Sequence, residues 1–285
     1  MVIVVTGAAG LFGHGLVQVF SARHKVIALT HRDLDITEGM DVRAVFAKIT
    51  PEVVVHPAGI PDIDICESDP AKAFLVNFLG TRNVVEAARG VGAAVAFIST
   101  DAVFDGKGQT PYTESDATIP PTVYGRTKLR AEKFVLNDPN HFAFRVSALF
   151  GPGRTNFVQK VLGLIRSGEH VVVASDQLGS ATHTLDAAQK IMEVIEARRP
   201  GLYHLSNQGA CTRFDLAKRA AELAGVDPGK VIGKPADQMG RRAPRLKYSV
   251  MEMTALKKGG FGLPRPWPEA LAEYVRELPV NATSS

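Results

Sequence analysis

Cysteine is scarce. Cys66 and Cys211 are the only two in 285 residues. Two thiols build no disulfide framework, and they fit a reducing compartment. The eight histidines show no metal-ligand spacing, so no metal centre is expected. No apolar run reaches the length of a membrane span, and no internal repeat or low-complexity tract occurs. The first apolar run starts at Val2, so no signal peptide is expected. A charge excess is missing too. Lys and Arg number 33 against 29 Asp and Glu, so the net charge is +4. That is too diffuse for a nucleic-acid footprint, although it suits a phosphorylated substrate. The expectation is a cytoplasmic globular protein with neither nucleic acid nor membrane as partner. Asn281-Ala-Thr283 spells a glycosylation acceptor, and the last five residues are read as a frayed tail.

What is present is material for a large core or two modest ones, with 45% hydrophobic residues. Short apolar runs at Val2–Thr6, Lys25–Leu29, Val53–His56, Ala93–Ser99 and Phe142–Ser147 read as strands covered on both faces. Amphipathic stretches at Leu11–Ala22, Asp41–Ile49, Ala71–Gly90 and Thr122–Leu136 lie between them. This alternation predicts an α/β fold with a Rossmann-like, doubly wound parallel sheet. After Gly151-Pro-Gly153 the character changes. Helices are expected at Asn156–Ser167, Leu185–Arg198, Arg213–Ala224 and Pro266–Leu278, and strands at Val171–Ala174 and Leu202–Leu205. Gly240 to Lys247, rich in Arg and Pro, reads as a loop. The expected organisation is a nucleotide-binding domain from residues 1–150 plus about 185–206. A smaller α/β substrate lobe takes about 151–184 plus 207–278, with a ligand cleft between the two.

Gly7, Gly10 and Gly13 follow the first strand in a G-x-x-G-x-x-G spacing. Glycines here permit a tight turn and let backbone amides approach a pyrophosphate at a helix N-terminus. After the second strand come Thr30, His31 and Arg32, with no acid at the first positions. An acid there would bind a ribose 2′-hydroxyl, whereas Arg32 would accommodate a 2′-phosphate. The reading favours NADPH and leaves NADH open. Asp33 and Asp35 fit a turn better. Ser99 and Thr100 end a central strand, the edge where ligands sit in open α/β sheets. Tyr124 and Lys128, four residues apart, share one helix face. An ammonium beside a phenol is expected to lower the phenol pKa and make it a proton donor or acceptor.

With these residues assembled, the chain resembles the extended short-chain dehydrogenases/reductases, and within them the dTDP-4-dehydrorhamnose reductase family. Ser99-Thr-Asp-Ala-Val-Phe-Asp-Gly106 is similar to the family's S-T-D-Y-V-F-D-G. Tyr112 to Asp116, then Pro121-Thr-Val-Tyr-Gly-Arg-Thr-Lys128 with Glu132, follow its Y-x-E-x-D and P-x-x-x-Y-G-x-T-K-x-x-x-E run. Leu34-Asp-Ile-Thr37, Val76-Asn77 through Val84, Asn156-Phe-Val158, Asp176-Gln-Leu-Gly179 with Thr182, and Trp267 extend the likeness over nearly the whole chain.

The resemblance implies hydride delivery to the C4 carbonyl of a nucleotide-linked 4-keto-6-deoxy sugar. Tyr124 would give the proton, Lys128 would lower its pKa and hold the nicotinamide ribose, and Thr100 would bond the reacting oxygen. It also implies cofactor contacts at Gly7, Gly10, Leu11, Phe12, Gly13, Arg32, Asp35, Ile36, Ala58, Gly59, Ser99, Tyr124 and Lys128. Substrate contacts are implied at Thr100, Asp101, Val103, Tyr124, Asn156, Phe157, Gln177 and Arg245, with a homodimer as the oligomer to consider. Asp176 would join this lobe, and Arg241, Arg242 and Lys247 are further candidates for the diphosphate.

Four departures matter. Ala102 stands for the family's Tyr, Ala148 for a Trp, His56-Pro-Ala58 for Asn-Ala-Ala, and Ala181 for a Pro. Two of them remove aromatic surface where a sugar ring could pack. They keep a rival reading open, a catalytically silent NADP-binding subunit resembling the methionine adenosyltransferase β subunit. An epimerase or dehydratase is the other rival. It is disfavoured because Asp101 lacks a second acid at the next position. His56 is expected to be a hydrogen-bonded structural histidine, and Cys66, among acids, to be unreactive.

Overall fold

The computed structural model describes residues 1–279, so the tail with Asn281 lies outside the described residues. Five apolar runs form β1 (Val2–Thr6), β2 (Lys25–Leu29), β3 (Val53–His56), β4 (Ala94–Thr100) and β5 (Phe142–Val146). Residues Gly201–His204 add a sixth strand beside β5. The sheet order from that strand is β5, β4, β3, β1, β2, and every pairing is parallel. β3 and β5 are buried along their whole length, which is why their sequences do not alternate.

Helices cover both faces. On one, Leu16 and Phe20 of helix Leu11–Phe20 and Ile191 of helix Thr184–Glu196 pack against Ile3, Val5 and Val55. On the other, Phe46, Val84 and Ala131, from helices Gly39–Ile49, Thr81–Gly90 and Val123–Val135, pack against Val4, Val54 and Phe97. A separate apolar core joins helices Phe157–Arg166, Arg213–Leu223 and Trp267–Glu277 through Leu162, Leu216, Leu271 and Tyr274. Short strands accompany it. Val171–Ala174 pairs with Val231–Lys234, and Leu178–Gly179 lies between Cys211–Thr212 and Tyr248–Ser249.

One expected helix is subdivided. The stretch predicted at Ala71–Gly90 runs as Pro70–Phe74, a π-helical turn at Leu75–Gly80, then Thr81–Gly90. The cause is Asn77, which is 1% exposed. Its amide accepts from the Ile60 N–H at 2.7 Å and donates to the Ile60 carbonyl at 3.1 Å and to Thr127 Oγ1 at 3.2 Å. Widening the helix by one residue per turn aims this side chain inward, and such bulges often occur at functional sites. Among the described residues no helix is long and apolar enough to cross a membrane.

Candidate active site

The turn after β1 is built for close backbone approach. Gly7 has φ +58°, and a Cβ on it would lie 2.8 Å from Ala58 Cα. A Cβ on Gly13 would lie 2.2 Å from the Gly7 carbonyl oxygen. Gly10 caps helix Leu11–Phe20 without a side-chain hydrogen bond, and the first turn carries no acid. Unsatisfied amide donors and the positive helix end therefore face outward at the carboxyl edge of the sheet, a fit for a pyrophosphate. The Phe12 ring is 4% exposed and sits in the core beneath the turn, so only the backbone of Phe12 faces the turn.

β4 delivers Thr100 to the same edge. The Thr100 hydroxyl caps the turn that follows, accepting from the Ala102 N–H at 3.1 Å, and approaches Asp101 Oδ1 at 3.1 Å. Tyr124 lies one residue into helix Val123–Val135, which Thr122 caps. Its ring packs with Ile60, Cys66 and Val123. Burial pushes the Tyr124 phenol well above its ordinary range. The neighbouring Thr100 hydroxyl pulls it down, and Asp101 pushes it further up. The expected lowering by Lys128 is thus overturned, since the ammonium is directed elsewhere. Lys128 Nζ sits 3.9 Å above the Phe97 ring centroid. Burial holds its pKa down at about 7, with Glu132 opposing. Burial also pushes the Cys66 thiol up to about 11, which matches an unreactive cysteine.

Ser99 is redirected. It is 2% exposed and donates to Glu132 Oε2 at 2.6 Å. Glu132 pairs with Arg145 through bonds of 2.7 and 3.0 Å, and Arg145 approaches His204 Nε2 at 3.3 Å. Strand alternation turns Ser99 to this buried ion pair and Thr100 away from it. His56 is fully buried between Thr6 Oγ1 at 2.7 Å and Thr81 Oγ1 at 3.1 Å. Because Thr81 Oγ1 already donates to the Asn77 carbonyl at 2.8 Å, it accepts from His56 Nε2–H. Thr6 then donates to Nδ1, which fixes the tautomer. At the end of β2 Arg32 is exposed, whereas Asp35 accepts from the Thr37 N–H and hydroxyl at 2.9 and 2.8 Å. Ile36 is buried against Gly80, and Gly59 lies against Asn77 Oδ1.

A cleft into which Asp101 opens is lined also by Ala102, Ser147, Ala148, Gln177, Arg213, Arg245 and Ser249. Ser147 donates to Asp101 Oδ2 at 2.5 Å. Burial pushes the Asp101 carboxyl up, while Ser147, Ser249, Thr100 and the Arg213 charge pull it down. Arg245 is clamped by Asp64 at 2.6 Å. Among the described residues the Gln177 side-chain nitrogen is buried without a hydrogen-bond partner.

Five predicted substrate contacts are not in this lining: Thr100 and Tyr124, described above, and Val103, Asn156 and Phe157. Asn156 caps helix Phe157–Arg166 through the Val158 N–H at 3.1 Å, and its nitrogen reaches Tyr274 Oη at 2.6 Å. Phe157 packs under Arg213. Val103 is fully buried with Phe104, Tyr112 and Met251. Asp176 accepts from the Ala236 N–H at 2.8 Å. Arg213 was not anticipated. Its only sequence signal is its place directly after the helix cap Thr212.

Comparison with known proteins identifies this arrangement. The model of the RmlD substrate binding domain family matches residues 1–280. The chain belongs to the RmlD family. It is 38% identical over 277 residues to the dTDP-4-dehydrorhamnose reductase of Streptomyces griseus, covering 94% of this chain and 91% of that protein. It is 36% identical over 277 residues to the spore coat polysaccharide biosynthesis protein SpsK of Bacillus subtilis (strain 168), covering 96% and 97%. The crystal structure of dTDP-4-dehydrorhamnose reductase from Bacillus anthracis str. Ames in complex with NADP is similar, with a TM-score of 0.94 at 32% identity. The match covers 97% of this chain and 99% of that one.

In this RmlD-family chain two alanines form part of the cleft wall. They are Ala102 and Ala148. Ala148 holds φ +40°, a left-handed conformation that a β-carbon makes costly. The backbone is thus bent sharply at the cleft wall.

Proposed function

We propose that the chain is an NADPH-dependent reductase of a nucleotide-activated 4-keto-6-deoxy sugar. The observation that carries this reading is the gathering of Thr100, Tyr124 and Lys128 beside the glycine turn, at the carboxyl edge of one parallel sheet. The names of the relatives favour a reductase over the epimerase, dehydratase and silent-subunit readings. Residues 1–150 and about 185–206 would hold the cofactor, and 151–184 with 207–278 the sugar nucleotide.

When bound, NADPH supplies the hydride. Tyr124 then gives its proton to the oxygen that becomes an alkoxide. Burial keeps that proton on the phenol, as the reductive direction requires. Thr100 steadies the same oxygen, and the Gly7, Gly10 and Gly13 turn takes the pyrophosphate. Exposed Arg32 meets the 2′-phosphate. Mixing the protein with NADPH and dTDP-4-keto-6-deoxyglucose or its epimers should consume NADPH absorbance in proportion to sugar. Tight NADPH binding without turnover on any such ketone would overturn the reading in favour of the silent subunit.

Lys128 adds a pH expectation. With its pKa at about 7, it is an ammonium below that pH and an amine above it. Hydrogen bonds from a charged donor to ribose hydroxyls are the stronger ones. NADPH affinity should therefore weaken as pH rises through about 7. Fluorescence titration across that range checks this, and Lys128→Met should remove the dependence.

A further inference from the structure

Arg213 opens helix Arg213–Leu223, with its guanidinium 4.9 Å from the Phe157 ring centroid. It faces the cleft that Asp101, Ser147 and Ser249 also line. Arg245 nearby is spent on Asp64 at 2.6 Å. Arg213 makes no such ion pair among the described residues, yet Asp101 is the main charge acting on it. An acid and a guanidinium thus oppose each other across the cleft without touching.

The two groups differ in what they can do. A guanidinium only donates hydrogen bonds, and a carboxylate only accepts them. A group that bridges them must accept from one side and donate to the other. A hydroxyl does both. A ketone oxygen only accepts, and a phosphate placed there would repel Asp101. Asp101 Oδ1 and Oδ2 already take hydroxyls from Thr100 at 3.1 Å and Ser147 at 2.5 Å, with Ser249 as a third neighbour, which leaves one of a carboxylate's roughly four acceptor positions for a further hydroxyl. Asp101 directly follows Thr100, and both residues act on the Tyr124 phenol, Thr100 lowering its pKa and Asp101 raising it. The bridged hydroxyl therefore belongs to a carbon adjoining the carbonyl that Tyr124 serves. In a 4-keto-6-deoxy sugar, C5 carries a methyl group and C3 a hydroxyl.

We infer that Arg213 is a specificity-determining residue that, together with Asp101, reads the C3 hydroxyl of the sugar; the inference rests on the reductase reading above. It is tested with two substrates, dTDP-4-keto-6-deoxyglucose and its 3-deoxy analogue. The parent enzyme should prefer the hydroxylated sugar by about 100-fold in kcat/KM, the effect of one charge-assisted hydrogen bond. Arg213→Met should collapse that ratio by slowing only the hydroxylated substrate, and Arg213→Lys should restore part of it. Calorimetric affinities for the corresponding reduced sugar nucleotides, measured with NADP, should move the same way. Unaltered melting temperature and NADPH affinity would show that the fold is kept. A ratio unchanged in Arg213→Met overturns the inference. Equal KM increases for both substrates also overturn it and place Arg213 on the diphosphate. Failure of the parent enzyme to turn over either ketone instead sinks the reductase reading, and the inference with it.

Discussion

Tyr124→Phe is expected to lower kcat for ketone reduction by about 10²–10⁴-fold, the usual worth of a positioned general acid. The substitution removes one oxygen and leaves the ring to pack with Ile60, Cys66 and Val123. NADPH affinity and thermal stability should therefore stay close to those of the parent, so that the loss falls on the chemical step. Stopped-flow absorbance with saturating sugar separates the two. A rate reduced less than about tenfold would mean that another group, with water as the alternative, supplies the proton. The same measurement in the oxidative direction should show a steep pH dependence. A phenol held above its ordinary range must lose its proton before it can take one from an alcohol.

The second large effect concerns stability. Glu132 and Arg145 are 3% and 4% exposed and form a bidentate pair, with Ser99 as a third partner. Glu132→Ala strands a guanidinium in the core between β4, β5 and helix Val123–Val135. That should cost about 3–5 kcal/mol, a large part of the roughly 5–15 kcal/mol that holds an ordinary domain together. The urea midpoint should fall accordingly. The double replacement Glu132→Leu, Arg145→Met removes both charges and should recover much of the loss, because well-packed apolar residues replace buried pairs at little cost. A single variant as stable as the parent would show that water reaches the site and screens it. Catalysis should suffer too, since Glu132 is the charge that supports the Lys128 ammonium.

The sheet was legible because its strands carry unbroken apolar runs. Val2–Thr6, Lys25–Leu29 and Val53–His56 stand as read. The placement of Tyr124 and Lys128 on one helix was legible for a different reason, since residues four apart share a helix face whatever surrounds them. Roles decided by direction were not legible. Ser99 and Thr100 are neighbours, yet strand alternation sends the first to Glu132 and leaves the second at the site. Asn156 was a ligand contact only by resemblance, and its side chain caps a helix, a role for which Asn is favoured. Phe12 lies between Gly10 and Gly13 of the turn and still points inward. Lys128 was expected to act on Tyr124 through spacing alone, and desolvation of both groups outweighs that spacing. Arg213 carries no motif. Only the folding of distant segments brings it opposite Asp101.

The chain of contacts through His56 has a further meaning. Burial holds this imidazole near a pKa of about 3, so it stays neutral across the whole physiological pH range. A residue type usually associated with proton sensing here works as an inert crossbar. One end braces Thr6, at the lip of the glycine turn, and the other reaches through Thr81 to the backbone of the π-helical segment. The two walls of the crevice are thereby bolted together by a joint that acidification of the surroundings does not loosen.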